Sequence, residues 1–460
     1  MFLKSNVTSE HILKGNIRTT LIAMTVPTVL ALSLNAIFNF VDRLYIAGIG
    51  DTEFAALGMA FIIQAFILAI ATGLGTGITT CLAKAIGSGD QHIANDVGLS
   101  AIFLVVIVSI ATAIIGIMSL PLQISIFGIS ELIGTHYETY LTVIFLGSYS
   151  IYAPIIFNSI LRGEGNMTIP MHVMVIGALA NLVLDPILIF GFSSIPALGI
   201  KGAAIATILA RTLATTWAIW AVYKHSKYVT IFKNPLRIFH PNVFTVSFIE
   251  VLKRVVSIGL PISLSSLLTP IVLGAYYKIL TPYGDASKVV LTMGLTYLML
   301  IMFPVAGLAR SVNTMCAQNI GANNYQRSLE IYRKALTISF LFITALSCAF
   351  VFFDDFFIGA FMSSSLEAQH AKFAILCFAL SYPLNAMFSI QVAYLVSHNL
   401  SKHVFLVNLF AILYCGLAYI LQIYFGEKGV WGGFVLSTLI SVIHCYLVIH
   451  FYVENNHNRT

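Results

Sequence analysis

Four short segments of the chain return 234 positions later without a gap. Pro27 matches Pro261, Gly50–Asp51 matches Gly284–Asp285, Gly73–Leu74 matches Gly307–Leu308, and Ile86–Gly87 matches Ile320–Gly321, with Thr80/Thr314 and Ala83/Ala317 on the same offset. Only 13 Pro and 32 Gly occur among 460 residues, so recurrence of these rarer residues at one spacing marks an internal duplication. The two halves are expected to share one fold.

Composition fixes the solvent of that fold. Hydrophobic residues make up 58% of the chain, charged residues 9%, and mean hydropathy is +0.92, whereas a soluble domain carries roughly 25% charge. Twelve apolar stretches are each long enough to cross a bilayer at about 1.5 Å per residue. They run over 18–46, 54–84, 95–121, 135–160, 168–195, 199–223, 249–280, 287–318, 330–353, 370–396, 403–425 and 429–452. Helices satisfy their own backbone hydrogen bonds in lipid, and these runs lack the alternation of barrel strands. The first stretch is too long for a signal-peptide core and is expected to stay as a membrane helix. The expected architecture is an all-α integral membrane protein, with lobes at 1–223 and 249–460 joined by a basic linker at 224–248.

Charge orients the bundle. With the N-terminus cytoplasmic, 16 of the 24 Lys and Arg fall on the cytoplasmic side, six outside, and Arg211 and Arg310 inside spans. The positive-inside rule then places both termini in the cytoplasm. The net charge of +6 follows from this topology and implies no nucleic-acid partner.

Several chemistries leave no trace. The six cysteines all lie in apolar stretches without metal-ligand spacing and read as small buried hydrophobes. The histidines form no H-E-x-x-H pair, and there is no Walker A loop, G-x-S-x-G elbow or dinucleotide fingerprint. The chain is expected not to be an enzyme and to need no cofactor. Two-Asp intramembrane proteolysis is nominally open to Asp42 and Asp185, but their contexts, VDRLY and LDPIL, do not resemble the motifs of such proteases.

Those two acids are the informative residues. A charge within the bilayer costs at least ~2.5–3.5 kcal/mol on insertion scales, so an acid there marks function by default. Snorkelling beside Arg43, or filling the notch left by Pro186, are the alternative roles of Asp42 and Asp185. Asp42 lies roughly 9 Å from the outer end of the first span, Asp185 roughly 14 Å from that of the fifth, and Thr207 roughly 12 Å down the sixth. Asn181 is one turn from Asp185 on the same face. Asp42, Asn181, Asp185 and Thr207 thus share one layer, an all-oxygen set suited to a proton or to Na⁺. The repeat is asymmetric here: the counterpart of Asp42 is Tyr276, and the segment LVNLFAILYCGLAYIL, opposite Asp185, has no acid. The coupling site is therefore expected in the N-terminal lobe.

The segments TVPTVLALSLNAIFNFVDRLYIAGIG, ILRGEGN, NLVLDPILIFG and GIKGAAIAT resemble the multidrug and toxic compound extrusion (MATE) transporters, DinF-type prokaryotic branch, over essentially the whole chain. The resemblance implies two pseudo-symmetric six-helix lobes around a central cavity. It also implies a monomeric, multi-pass protein of the bacterial inner membrane that exports cationic or amphipathic drugs against inward H⁺ or Na⁺ by alternating access, and so confers antibiotic resistance. By the same resemblance Asp42, Asn181, Asp185 and Thr207 form the H⁺ or Na⁺ site, Pro27 is the hinge of the first helix, and Asn35, Phe38, Tyr140 and Asn158 line the drug cavity. Two features depart from the family pattern: Arg43 directly follows the acid, and SLLTPIVL around Thr269 lacks the Glu carried there by the NorM-type branch. The alternative function is a flippase for a lipid-linked precursor, a distant relative of the same architecture, for which Arg211 and Arg310 would meet an anionic headgroup.

Overall fold

The computed structural model describes residues 7–233, 245–359 and 365–454, apart from the side chains of residues 39, 42–44, 46, 47 and 365–370. A short helix α1 (Ser9–Lys14) precedes seven helices of the first repeat: α2 (Ile17–Ala47), α3 (Asp51–Ser88), α4 (Gln91–Phe127), α5 (Glu131–Leu146), α6 (Tyr149–Gly163), α7 (Thr168–Phe190) and α8 (Gly199–His225). The second repeat holds α9 (Val246–Leu280), α10 (Asp285–Gly321), α11 (Tyr325–Phe352), the short α12 (Asp354–Gly359), α13 (Ser365–Ser397), α14 (Ser401–Phe425) and α15 (Glu427–Ile449). Among the described residues the only β pairing is an isolated bridge, Phe192 to Ile195, in the α7–α8 turn.

Among the described residues eleven helices are long and apolar enough to cross a membrane, and α5 with α6, a pair bent by 43°, makes twelve if counted as one span. The single span expected over 135–160 is thus broken at Gly147–Ser148. A Gly/Ser pair is a recurrent kink site. Here the Ser148 hydroxyl donates to the Ser109 carbonyl at 3.0 Å, and a β-carbon on Gly147 would lie 2.1 Å from Ile208 Cδ1. The thiols are all free, and five are buried; Cys348, expected inside, is exposed on α11.

The duplication is visible in the backbone. Gly89 closes α3 in the left-handed region with φ 74°, and Asn323 does so after α10 with φ 58°. Gly165 (φ 92°) and Asn399 (φ 64°) repeat the device after α6 and α13. Both pairs stand 234 residues apart. Gly and Asn are the residues that tolerate this conformation at helix ends.

The chain forms two compact units that do not follow chain order. One is built on Pro27–Ser263 and the other on Glu10–Val26 with Leu264 onward. Residues 10–26, placed in the first lobe by the division at 224–248, pack instead with the second repeat. Asn319 Nδ2 and Arg327 Nε donate to the Ile12 carbonyl at 3.3 and 3.2 Å, Arg327 also bonds the Gly15 carbonyl, and the Thr25 and Ser311 hydroxyls meet at 3.3 Å. Conversely, the first half of α9 packs in the other unit. Ser247 Oγ donates to Asp96 at 2.7 Å, and β-carbons on Gly73 and Gly77 would come within 2.6 Å of the Gly259 carbonyl and 2.4 Å of the Val255 carbonyl.

The chain leaving α8 is clamped to the same unit. Buried Glu164 accepts from the Lys227 and Tyr228 amides at 3.2 Å each and from the Ser226 hydroxyl. Asn95 Oδ1 accepts from the Thr230 and Ile231 amides at 2.8 and 3.1 Å. Burial raises the Glu164 carboxyl above the usual glutamate range, against the opposing pull of these hydrogen bonds. A carboxyl with a raised folded value binds its proton more firmly in the folded state. Its contribution is complete below the ordinary glutamate value and declines as pH rises through the raised one. The melting temperature of the detergent-solubilised protein is expected to fall less between about pH 4 and about pH 8 in Glu164→Gln than in the parent. Identical slopes would show that this carboxyl titrates normally.

Candidate functional site

Helix α7 reads TIPMHVMVIGALANLVLDPILIF, apolar on nearly every face, so its two polar groups at membrane depth need partners. The four-residue spacing of Asn181 and Asp185 puts them one turn apart. The structure joins them: Asn181 Nδ2 donates to Asp185 Oδ1 at 2.6 Å, and Asp185 is 1% exposed. Pro186 follows within the helix, and it has no amide hydrogen to give the Leu182 carbonyl, which adds an oxygen to this level.

Helix α8 is drawn against α7 by small residues and one turn. The Leu198 amide donates to the Leu188 carbonyl at 3.0 Å. A β-carbon on Gly202 would lie 2.2 Å from the same carbonyl oxygen, and one on Gly177 would lie 3.0 Å from Ala214 Cβ. This antiparallel register sets Thr207, 6% exposed, level with the turn that holds Asn181 and Asp185. Asp42 lies on α2, and its side chain, like that of Arg43, falls outside the described residues.

The remaining candidates separate into two groups. Tyr140 on α5 is 3% exposed, and its hydroxyl accepts from Gln64 Nε2 on α3 at 3.1 Å. Asn158 on α6 is buried, with its Oδ1 lacking a hydrogen-bond partner. An unpaired buried oxygen costs about 1–3 kcal/mol, which a bound donor would recover. Asn35 and Phe38 on α2 are half-buried. Pro27, itself buried, sits inside the uninterrupted α2 at the boundary between the two compact units. Gln64 escaped sequence reasoning, because a single amide in an apolar helix carries no charge or spacing signal.

Chemically, the α7–α8 layer offers one carboxylate with an amide and a hydroxyl. Among the described residues no group of three His, Cys, Asp or Glu can hold a metal ion. Asp185 accepts from the Asn181 amide, and carboxylate, amide and hydroxyl oxygens are the donor types that a proton or a hard cation takes.

A family model described as MatE matches residues 27–187 and 261–420. A FAD transporter of Shewanella oneidensis is 25% identical over 438 residues, covering 95% of each chain. The multidrug export protein MepA of Staphylococcus aureus is 25% identical over 377 residues, covering 79% of this chain and 78% of the relative. Among solved structures, the outward-facing conformation of a multidrug resistance MATE family transporter of the MOP superfamily superposes with a TM-score of 0.87 at 25% identity, over 98% of this chain and 99% of the other.

The α7–α8 register depends on close backbone approach at Gly202. Replacing it with Val forces the Leu188 carbonyl aside and is expected to cost ~1–3 kcal/mol, read as a lowered thermal midpoint in detergent. Gly58→Ala is the control, since no atom lies within 4 Å of its added β-carbon. Equal midpoints for the two variants would refute the tight contact.

Proposed function

The chain belongs to the MatE family, and on that premise we propose that it is a secondary active exporter, not an enzyme, which moves cationic or amphipathic drugs outward against H⁺ or Na⁺ by alternating access. The observation that carries this reading is the Asn181–Asp185 pair, held at 2.6 Å on a membrane helix with Asp185 fully buried. Its positions in the second repeat are Cys415 and Tyr419, and those of Asp42 and Thr207 are Tyr276 and Ser441. A scaffold role would be served equally by both repeats. An ionisable layer present in only one supports coupling.

Asp42, Asn181, Asp185 and Thr207 are the proposed coupling residues, with Asp185 the group that takes a proton. Protonation removes the negative charge that attracts a bound cationic drug and weakens the charge-assisted bond from Asn181. The same oxygens would hold Na⁺ if that is the coupling ion. Asn35, Phe38, Tyr140 and Asn158 are the proposed substrate contacts, and Pro27 the hinge of α2. The positive-inside distribution supports a multi-pass protein of a bacterial inner membrane with both termini cytoplasmic.

A second reading, export of an anionic dinucleotide, is favoured by the relative named FAD transporter. It is also favoured by Arg310, which lies within the span formed by α10 and has no ion pair with a described carboxylate.

The test uses proteoliposomes with a pH gradient and a Na⁺ gradient imposed separately, and ethidium or FAD as cargo. Ethidium movement driven by one gradient and reduced at least about tenfold in Asp185→Asn is expected. Full activity of that variant would defeat the coupling assignment, and movement of FAD alone would favour the second reading.

A further inference from the structure

A cavity of about 390 Å³ opens where the chain enters α2, lined by Gly15, Asn16, Arg18, Arg327, Glu330 and Lys334 among others. Three bases face one acid. Arg327 is half-buried and held by the Ile12 and Gly15 carbonyls, whereas Arg18 and Lys334 are exposed. The one acid, Glu330, lies 3.7 Å from Lys334. Asn16 Oδ1 caps the helix start by accepting from the Arg18 amide at 3.0 Å.

The repeat again separates scaffold from function. The counterparts of Arg18, Arg327 and Lys334 in the other repeat are Leu252, Ile93 and Ser100, while Asn16 and Glu330 become Glu250 and Asp96. The other repeat therefore forms its corner without a base at these three positions, so Arg18 and Lys334, which unlike Arg327 bond no carbonyl of residues 10–26 among the described contacts, are not needed to build it. Their setting identifies what they meet. One turn beyond Arg18 on the same face of α2 stands Ile22, 48% exposed, and two turns beyond Lys334 on α11 stands Leu341, 62% exposed. A cation at the helix end with exposed apolar side chains below it reproduces the profile of a phospholipid, headgroup above acyl chain. A soluble anion would need only the cations.

We propose that this corner is a binding site for an anionic phospholipid of the cytoplasmic leaflet, with the phosphate on Arg18, Arg327 and Lys334 and an acyl chain along Ile22 and Leu341. Bound there, the headgroup bridges the start of α2 to α11 and holds residues 10–26 in their unit. The assignment is independent of the transported substrate and rests only on the proposed orientation.

The full chain, purified and delipidated in neutral detergent, is titrated with phosphatidylglycerol, phosphatidylcholine or inorganic phosphate. Bound lipid is counted by native mass spectrometry and stability is followed by thermal melting. Phosphatidylglycerol is expected to bind with defined stoichiometry and raise the melting temperature. Arg18→Gln/Lys334→Gln leaves the Arg327 bonds intact and is expected to weaken phosphatidylglycerol binding about twenty-fivefold, at about fivefold per base. Glu330→Gln removes the competing acid and should tighten binding. Equal binding of phosphatidylcholine, equal stabilisation by inorganic phosphate, or undiminished phosphatidylglycerol binding in the double variant would each overturn the proposal.

Discussion

The hydrogen bond from Asn181 to Asp185 keeps a carboxylate inside a helix that is otherwise apolar. An ionised group in such surroundings is tolerated only when paired or hydrogen-bonded, and the cost of failing to do so is several kcal/mol. The neighbouring architecture meets that requirement. Pro186 frees a carbonyl at the same level, and Gly202 lets α8 approach until its backbone touches that of α7. Thr207 then enters the layer as a consequence of register, not of any local preference of its own.

Around this layer the two repeats conserve geometry and differ in chemistry. Left-handed helix ends recur at Gly89 and Asn323 and at Gly165 and Asn399, and in each repeat the start of the leading helix packs with the opposite unit. Asp185, Asp42 and Arg327 do not recur. Asp185 faces Tyr419, Asp42 faces Tyr276, and Arg327 faces Ile93 on the 234-residue offset. Tyr276 shows what the scaffold alone does at such a place: it is buried, and its hydroxyl meets the Ser437 hydroxyl at 3.1 Å. A neutral pair fills this position in the second repeat, so packing there does not require an acid.

The spans were legible because hydrophobic length is a one-dimensional property. Each of the twelve apolar stretches is helical over most of its length, and the four-residue spacing of Asn181 and Asp185 carried over directly into a contact. What escaped the sequence depends on partners distant along the chain. The break at Gly147–Ser148 relies on the Ser109 carbonyl, the clamp at Glu164 collects amides more than sixty residues away, and residues 10–26 are held by Asn319 and Arg327. None of these leaves a periodic signal, since each is a single polar side chain meeting a backbone group. Tyr140 shows the same limit, as its partner Gln64 has no charge to mark it.

The exchange of leading segments gives α2 a distinct place in the proposed mechanism. Its first ten residues, 17–26, are tied to one unit through Ser311 and the contacts at Ile12, while from Pro27 onward, including the turn that carries Asp42, it belongs to the other. Proline weakens α2 at the crossing point, because its missing amide removes one rung of the hydrogen-bond ladder. Helix α9 has the same shared form, with Pro261 near its own crossing at Ser263, but Tyr276 stands where α2 has its acid. Two elements are thus shared in the same way, and on the 234-residue offset α2 carries an acid where α9 carries a tyrosine.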